Sequence, residues 1–243
     1  MNPILLIPTR MASTRLPGKP LADIAGRPMI VRVWERAMAA NLGPVLVAAA
    51  EPEIVAAITA AGGRAVLTDP GLPSGSDRIF AALQTLDPDG RHDVVVNLQG
   101  DLPALEAPVI RAVVGALPGA EIATLAAEIT DPAERDNPSV VKAVVAWDAD
   151  GQKGRALYFT RATAPSGDGP LFHHVGIYAF TRAALARFVA LPPSPLEKRE
   201  KLEQLRALEA NMSIAVARVD RVPLSVDTPA DLERANILLK NAP

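Results

Sequence analysis

The chain contains no cysteine, so neither a disulfide framework nor thiolate chemistry is open to it. Long hydrophobic runs are missing as well. No stretch reaches membrane-spanning length without a charge or a proline, and the apolar run of MNPILLIPTR is too short for a bilayer span or a signal h-region. It also has no basic n-region before it. The expectation is a soluble, cytoplasmic protein with no membrane insertion. A basic excess is absent too: the formal net charge is −2, which argues against binding a nucleic-acid polymer. Internal repeats, low-complexity segments and a free linker are all lacking. What remains is a chain of 243 residues, 49% hydrophobic and 21% charged, the balance of an ordinary globular protein with a substantial core.

The first half alternates strand-like with helix-like segments. Short apolar runs at Ile4–Pro8, Val45–Ala49, Ala65–Thr68 and Val94–Leu98 suit strands buried on both faces of a parallel sheet. Between them Pro28–Asn41, Glu53–Ala61 and Asp77–Leu86 read as helices, with Pro28 or Pro52 near a first turn and Ser76 as an N-cap. This alternation implies right-handed βαβ units and a doubly wound, mostly parallel α/β sheet. A helix over Ala107–Leu117 and a strand over Ile122–Glu128 follow. The pattern then changes: Val140–Trp147 and Ala156–Thr160 around a turn at Asp148–Gly154 predict an antiparallel hairpin, and Gly176–Phe180 another strand. Proline-rich LPPSPLE (191–197) precedes a charged helix over Glu197–Asn211, then a strand at Ile214–Val219 and a helix at Pro229–Asn241. The whole reads as a single domain, 1–243, with a β-rich extension over about 137–182.

Ligands of an open parallel sheet bind beyond the carboxyl ends of its strands, where strand order reverses. With the order 3-2-1-4, the loop after the first strand and the loop after the fourth face one crevice. The first is RMASTRLPGK, with the cations Arg10, Arg15 and Lys19 and no acid; the second is Gln99–Gly100–Asp101. A local basic loop against a neutral background fits a small anion, and a nucleoside triphosphate makes physical sense of both loops. The cations would offset phosphate charge, each contact being worth roughly 1 to 4 kcal/mol at 4 Å. Asp101 would be repelled by phosphate unless Mg²⁺ stood between them, and SVDTP offers Asp227 as a second carboxylate. Taken singly these residues have ordinary readings. Asp101 suits a turn or cap, Asp227 suits the N-cap of a D-T-P-x-D helix start, and a loop cation suits a solvated surface. His174 by itself suits a packed histidine, Tyr178 a core or interface position, and Glu203 and Gln204 the solvated face of a charged helix.

Larger segments carry a resemblance. RMASTRLPGKPLADIAGRPMI, SGSDR (74–78), NLQGD (97–101), NPSVVK (137–142), ALYFTRA (156–162), HHVGIY (173–178), PSPLEKREKLEQLR (193–206) and VDTPADLERA (226–235) recur in order along the chain. The sequence thereby resembles the CMP-Kdo synthetases, the 3-deoxy-manno-octulosonate cytidylyltransferases. The resemblance implies that CTP and the acidic sugar Kdo give CMP-Kdo and pyrophosphate, activating Kdo for lipopolysaccharide synthesis. It implies Mg²⁺ held by Asp101 and Asp227, and CTP held by Arg10, Ser13, Arg15, Lys19, Ser74, Gly75 and Arg78. Arg10, Arg15, Lys19 and Asp101 would be catalytic. Kdo would be recognised by Gln99, Arg161, His174, Tyr178, Glu203 and Gln204, and the protein would be a homodimer built through the β-rich extension.

Three departures stand out. Ala48–Ala49–Ala50 replaces the usual Ala-Thr-Asp, so that a polar contact is lost or supplied by Glu51. Leu102 follows QGD where an acid is common, and Thr163–Leu171 is short. Competing readings are a cytidylyltransferase for another acidic sugar, such as sialic acid, and a non-catalytic nucleotide-binding protein. A dinucleotide-dependent oxidoreductase fits poorly, because the first loop lacks G-x-G-x-x-G.

Overall fold

The computed structural model describes residues 1–240; Asn241, the predicted last residue of the final helix, lies outside them. In chain order the elements are β1 (Pro3–Thr9), a 3₁₀ turn at Lys19–Leu21, β2 (Asp23–Ile24), β3 (Arg27–Pro28), α1 (Met29–Met38), β4 (Val45–Ala49), α2 (Pro52–Ala60), β5 (Arg64–Leu67), α3 (Gly75–Leu86), β6 (Val94–Asn97) and α4 (Ala107–Ala116). There follow β7 (Ile122–Glu128), α5 (Pro132–Arg135), β8 (Lys142–Trp147), β9 (Lys153–Thr160), β10 (Phe172–Thr181), α6 (Arg182–Ala190), α7 (Pro195–Glu200), α8 (Leu205–Glu209), β11 (Ile214–Val219) and α9 (Pro229–Lys240). The chain forms two compact units, one of Met1–Arg111 with the segment from Pro223 onward, the other of Ala112–Val222.

In the first unit β5, β4, β1 and β6 lie side by side, all parallel, in the expected order 3-2-1-4. Every residue of β1 is buried, because helices connect strands that need cover on both faces. Each fully buried Leu or Ile there stabilises the fold by roughly 1.5 to 3 kcal/mol relative to exposure. α1 turns Met29, Ile30, Val31, Val33 and Ala37 inward. Gly43 permits the close approach of the β4 entry to β1: a Cβ there would lie 2.1 Å from the Pro3 carbonyl oxygen. Gly43→Ala is therefore expected to destabilise the fold by about 3 kcal/mol in urea unfolding, and an unchanged midpoint would contradict that contact.

The predicted helix starts shift in one instructive place. Ser74, not Ser76, caps α3: it has an extended backbone, and its Oγ accepts the Asp77 N–H at 3.2 Å. Ser76 is instead buried inside the helix.

The second unit holds five strands in the order β10-β7-β11-β9-β8, with β7 and β11 parallel and the other pairs antiparallel. β8 also meets β10 at Lys142 and His173, which draws the five strands toward closure at that end. The predicted hairpin is β8–β9, with β9 starting earlier than expected at Lys153 because Asp148 N–H bonds the Lys153 carbonyl at 2.8 Å. α6 has little amphipathic patterning but a clear start, Thr181 Oγ1 accepting the Ala184 N–H at 3.1 Å. The helix expected over Glu197–Asn211 is in fact two, α7 and α8. Lys201 between them is left-handed at φ 57°, and the N–H groups of Lys201 and Leu202 both turn back to the Glu197 carbonyl. That reversal buries Leu202 and Leu205.

Candidate active site

A cleft of about 800 Å³ opens within the first unit beyond the carboxyl ends of β1 and β6. Its walls include Arg10, Ser13, Arg15 and Lys19 from the loop after β1, Ser74, Gly75 and Arg78 from the start of α3, Gln99, Gly100 and Asp101 from the loop after β6, and Asp227. Residues far apart in sequence are thus gathered by the parallel strand order.

The basic loop is shaped by its own backbone. Gly18 adopts the left-handed φ of 69°, which starts the 3₁₀ turn, and the Leu21 N–H bonds its carbonyl at 2.9 Å. Pro20 fixes the second position of that turn, so Lys19 projects from a rigid corner. At the loop's start, Glu51 Oε2 accepts the Met11 N–H at 2.9 Å. Glu51, which follows Ala50, thereby pins the start of the loop. Ser13 Oγ accepts the Leu16 N–H at 3.3 Å. Leu16 in turn packs against a cluster of Ile24, Met29, Val226, Ala235 and Leu239 that joins the loop, the β2–β3 hairpin and α9. The hairpin turns through Ala25 and Gly26, both at positive φ, and Asn236 of α9 accepts the Ala25 N–H at 2.9 Å.

Lys19 is the centre of the polar arrangement. Its Nζ donates to Asp101 Oδ2 at 2.9 Å and to Asp227 Oδ1 at 3.0 Å, and Arg15 reaches the same Asp227 oxygen at 3.1 Å. Burial by itself lowers the Lys19 pKa, but the two carboxylates outweigh it and the ammonium ends above its ordinary value. Burial pushes the Asp101 carboxyl upward, Lys19 pulls it back without cancelling, and Asp227 adds to the rise. The ordinary reading of Asp227 as a helix cap does not hold here. Thr228 caps α9, its Oγ1 accepting the Asp231 N–H at 3.2 Å while Asp231 accepts the Thr228 N–H at 3.0 Å. That reciprocal pair leaves the Asp227 side chain to the cations. A backbone tie from Val226 N–H to the Asp101 carbonyl, 2.9 Å, holds the two acidic segments together.

Arg78 is buried, its NH1 bonded to Thr68 Oγ1 at 2.6 Å and the Asp69 carbonyl at 3.1 Å. Burial lowers its pKa, Glu51 opposes the fall and Arg10 adds to it. Thr68, which nothing in the sequence singles out, thus orients a cleft arginine while its own hydroxyl donates to Ala49 O at 2.9 Å. Arg10 has no hydrogen-bond or ion-pair partner among the described residues. Leu102, in place of the acid, is buried.

The remaining residues singled out from the sequence, Gln99 apart, lie in the second unit. His174 Nε2 stands 3.0 Å from Thr124 Oγ1, whose hydroxyl is within reach of the Val175 and Ile177 carbonyls at 3.1 and 2.9 Å. A hydroxyl has one proton, so it donates to the carbonyls and accepts from His174, which is therefore protonated at Nε2. Burial, with His173 alongside, pushes the His174 pKa down to about 3 and keeps the ring neutral. The ring centroid of Tyr178 is 5.6 Å from that of His174, and its hydroxyl is pushed up by burial and by the charge of Glu203. Gln204 is buried, and its Nε2 finds no partner among the described residues. His174, Tyr178 and Glu203 thus act on one another, and Gln204, next to Glu203 in sequence, carries an unused donor. Arg161 does not join it in this state: Nε, NH1 and NH2 donate to the Glu200, Pro138 and Lys201 carbonyls at 2.8, 3.0 and 3.4 Å. Glu200 in addition accepts the Arg161 N–H and the Thr160 hydroxyl. The short 163–171 segment is anchored by Thr163, which donates to Asp136 Oδ1 at 2.6 Å.

A parallel α/β unit with a rigid cationic loop facing two carboxylates across a cleft defines a protein of the nucleotidyltransferase class. Known proteins make the class specific. The cytidylyltransferase family model matches residues 4–214. The chain is 65% identical over 240 residues to a 3-deoxy-manno-octulosonate cytidylyltransferase of Parvibaculum lavamentivorans, covering 98% of this chain and 93% of the relative. It is equally 65% identical to the enzyme of that name from Rhodospirillum centenum, with the same coverage. A solved CMP:2-keto-3-deoxy-manno-octonic acid synthetase complexed with CTP is 37% identical, superposes with a TM-score of 0.90 and covers 98% of both chains. The chain belongs to the cytidylyltransferase family, among its 3-deoxy-manno-octulosonate cytidylyltransferases.

Proposed function

We propose that this protein joins CTP and Kdo to give CMP-Kdo and pyrophosphate. The observation that carries the reading is the pair Asp101 and Asp227 held on one lysine inside a cleft that also presents Arg10 and Arg15. In the reaction the anomeric hydroxyl oxygen of Kdo bonds to the α-phosphorus of CTP, the bond from that phosphorus to the oxygen bridging to the β-phosphate breaks to release pyrophosphate, and the hydroxyl proton passes to water. Such transfers need positioning and charge neutralisation more than a covalent intermediate.

Arg10, Arg15 and Lys19 would bind the triphosphate and the departing pyrophosphate, while Ser13, Ser74, Gly75 and Arg78 would line the nucleotide's place. The donor set fits a hard divalent cation such as Mg²⁺: two carboxylate groups already side by side, with phosphate oxygens to complete the shell. When bound there, Mg²⁺ supplies charge neutralisation at the phosphates and acidifies the attacking hydroxyl. The Gln204 Nε2, without a partner among the described residues, the neutral His174, Tyr178 and Glu203 offer donors and acceptors suited to sugar hydroxyls. Arg161 would reach the sugar acid only by giving up its carbonyl bonds. We place the enzyme in the cytoplasm as a homodimer formed through the β8–β9 region; no helix among the described residues is long and apolar enough to cross a membrane.

Pyrophosphate release with CTP and a panel of acidic sugars, with and without Mg²⁺, tests the reading. Release is expected with Kdo and Mg²⁺ only. Turnover of sialic acid but not Kdo would assign a different sugar, and nucleotide binding without any turnover would make the protein non-catalytic.

A further inference from the structure

Lys19 occupies the place between two carboxylates that a cation would be expected to hold. Its Nζ lies 2.9 Å from Asp101 and 3.0 Å from Asp227, and its side chain is only 15% exposed. Two carboxylates this close repel each other unless a positive charge stands between them. Arg15 supplies a second cation on Asp227. Without ligand the constellation is therefore neutral, two acids against two bases. A divalent ion arriving alone would have to expel the Lys19 ammonium and would leave an uncompensated positive excess in a partly buried cleft. A triphosphate changes that balance, because it accepts both Lys19 and Arg15 as the metal takes the carboxylates. The lysine can make this move without backbone change. Its main chain is locked in the 3₁₀ turn by the Lys19 N–H to Leu16 and Ala22 N–H to Lys19 bonds, so rotamer changes of the four-carbon stem carry the ammonium.

We propose that Lys19 is an internal stand-in for the divalent cation: it keeps Asp101 and Asp227 assembled, keeps bare metal out, and transfers to phosphate when the nucleotide arrives. Metal and CTP then bind as a coupled pair, each raising the other's affinity by the same factor. The inference rests on the metal assignment made above and extends it to how the metal is admitted.

Binding of Mn²⁺ without nucleotide, followed by the paramagnetic resonance of free Mn²⁺, tests this. Lys19→Met is expected to bind Mn²⁺ at least tenfold more tightly than the unaltered protein, and Lys19→Arg, which keeps the charge, to stay within about threefold of it. Adding Asp101→Asn to Lys19→Met should abolish the gain. Equal or weaker Mn²⁺ binding by a folded Lys19→Met would overturn the proposal. If that variant does not fold, the ¹⁵Nζ resonance of Lys19 in the unaltered protein decides. It should move on adding CTP without metal and stay in place on adding micromolar Mg²⁺ alone; movement with that Mg²⁺ alone would overturn it. Neither measurement contains Kdo, so a failure of sugar turnover leaves this inference standing, and its failure leaves the reaction standing.

Discussion

Replacing Asp101 by Asn is expected to lower kcat/KM for CMP-Kdo formation by roughly 10² to 10⁴ while leaving the fold intact. The substitution keeps the size and shape of the side chain but removes the negative charge on which the proposed divalent-cation site depends. The structural tie at this position is the Asp101 carbonyl accepting the Val226 N–H at 2.9 Å, and a side-chain change does not touch it. Lys19 also keeps Asp227 as a partner at 3.0 Å, so it is not left buried and unpaired. Circular dichroism and the thermal midpoint should therefore match the unaltered protein within a few degrees. Turnover at the normal rate would show that Asp101 does not hold the metal. Unfolding would show that the carboxylate is chiefly structural.

The second large effect concerns stability. Arg206 NH2 and Nε bond Glu197 Oε1 and Oε2 at 2.6 and 2.9 Å, a bidentate pair with side chains 9% and 13% exposed. Glu197 also accepts the Ser194 N–H that starts α7, and the Arg206 guanidinium lies over the Phe188 ring. This pair fastens α7 to α8 on either side of Glu203 and Gln204. Arg206→Met would leave a buried carboxylate without its cation and is expected to cost about 3 to 5 kcal/mol near neutral pH. Burial raises the Glu197 pKa, but Arg206 and the Ser194 N–H outweigh it and the group lies below its ordinary value. A depressed carboxyl stabilises the fold above its unfolded pKa, and that stabilisation is lost as pH falls through the folded value. The gap between variant and unaltered protein should therefore shrink as pH falls: the variant's Glu197, buried without its cation, takes up a proton above the ordinary carboxylate range, and the unaltered protein then loses its own stabilisation as pH drops below about 4.5 toward the depressed folded value. The double change Arg206→Met, Glu197→Gln should recover much of the loss. A single variant within 1 kcal/mol of the unaltered protein in urea unfolding would refute the account.

These two expectations draw on different levels of the chain. Asp101 was legible from its place after a buried strand, because parallel order puts that loop opposite the first. The Arg206–Glu197 pair was not, since a run as charged as EKREKLEQLR reads as one solvated helix. The reversal at Lys201 depends on Leu202 and Leu205 finding the core, which local periodicity does not reveal. Thr124 and Thr68 were invisible for a related reason. A threonine in a strand or loop carries no pattern of its own, and its role comes from the His174 or Arg78 placed beside it.

By itself, then, the sequence determined the buried strands of the first unit, the rigidity of the basic loop and the identity of the charged groups. Short-range forces set those: apolar runs that must be buried, prolines and a glycine that restrict the backbone, charges that solvent alone would leave apart. Only the tertiary structure decided which charges meet. It brought Lys19 between two carboxylates 82 and 208 positions further along the chain and held Arg161 on backbone carbonyls 23 to 40 positions away. Each outcome turns on distances of about 3 Å between residues tens to hundreds of positions apart, set by packing that no local segment contains.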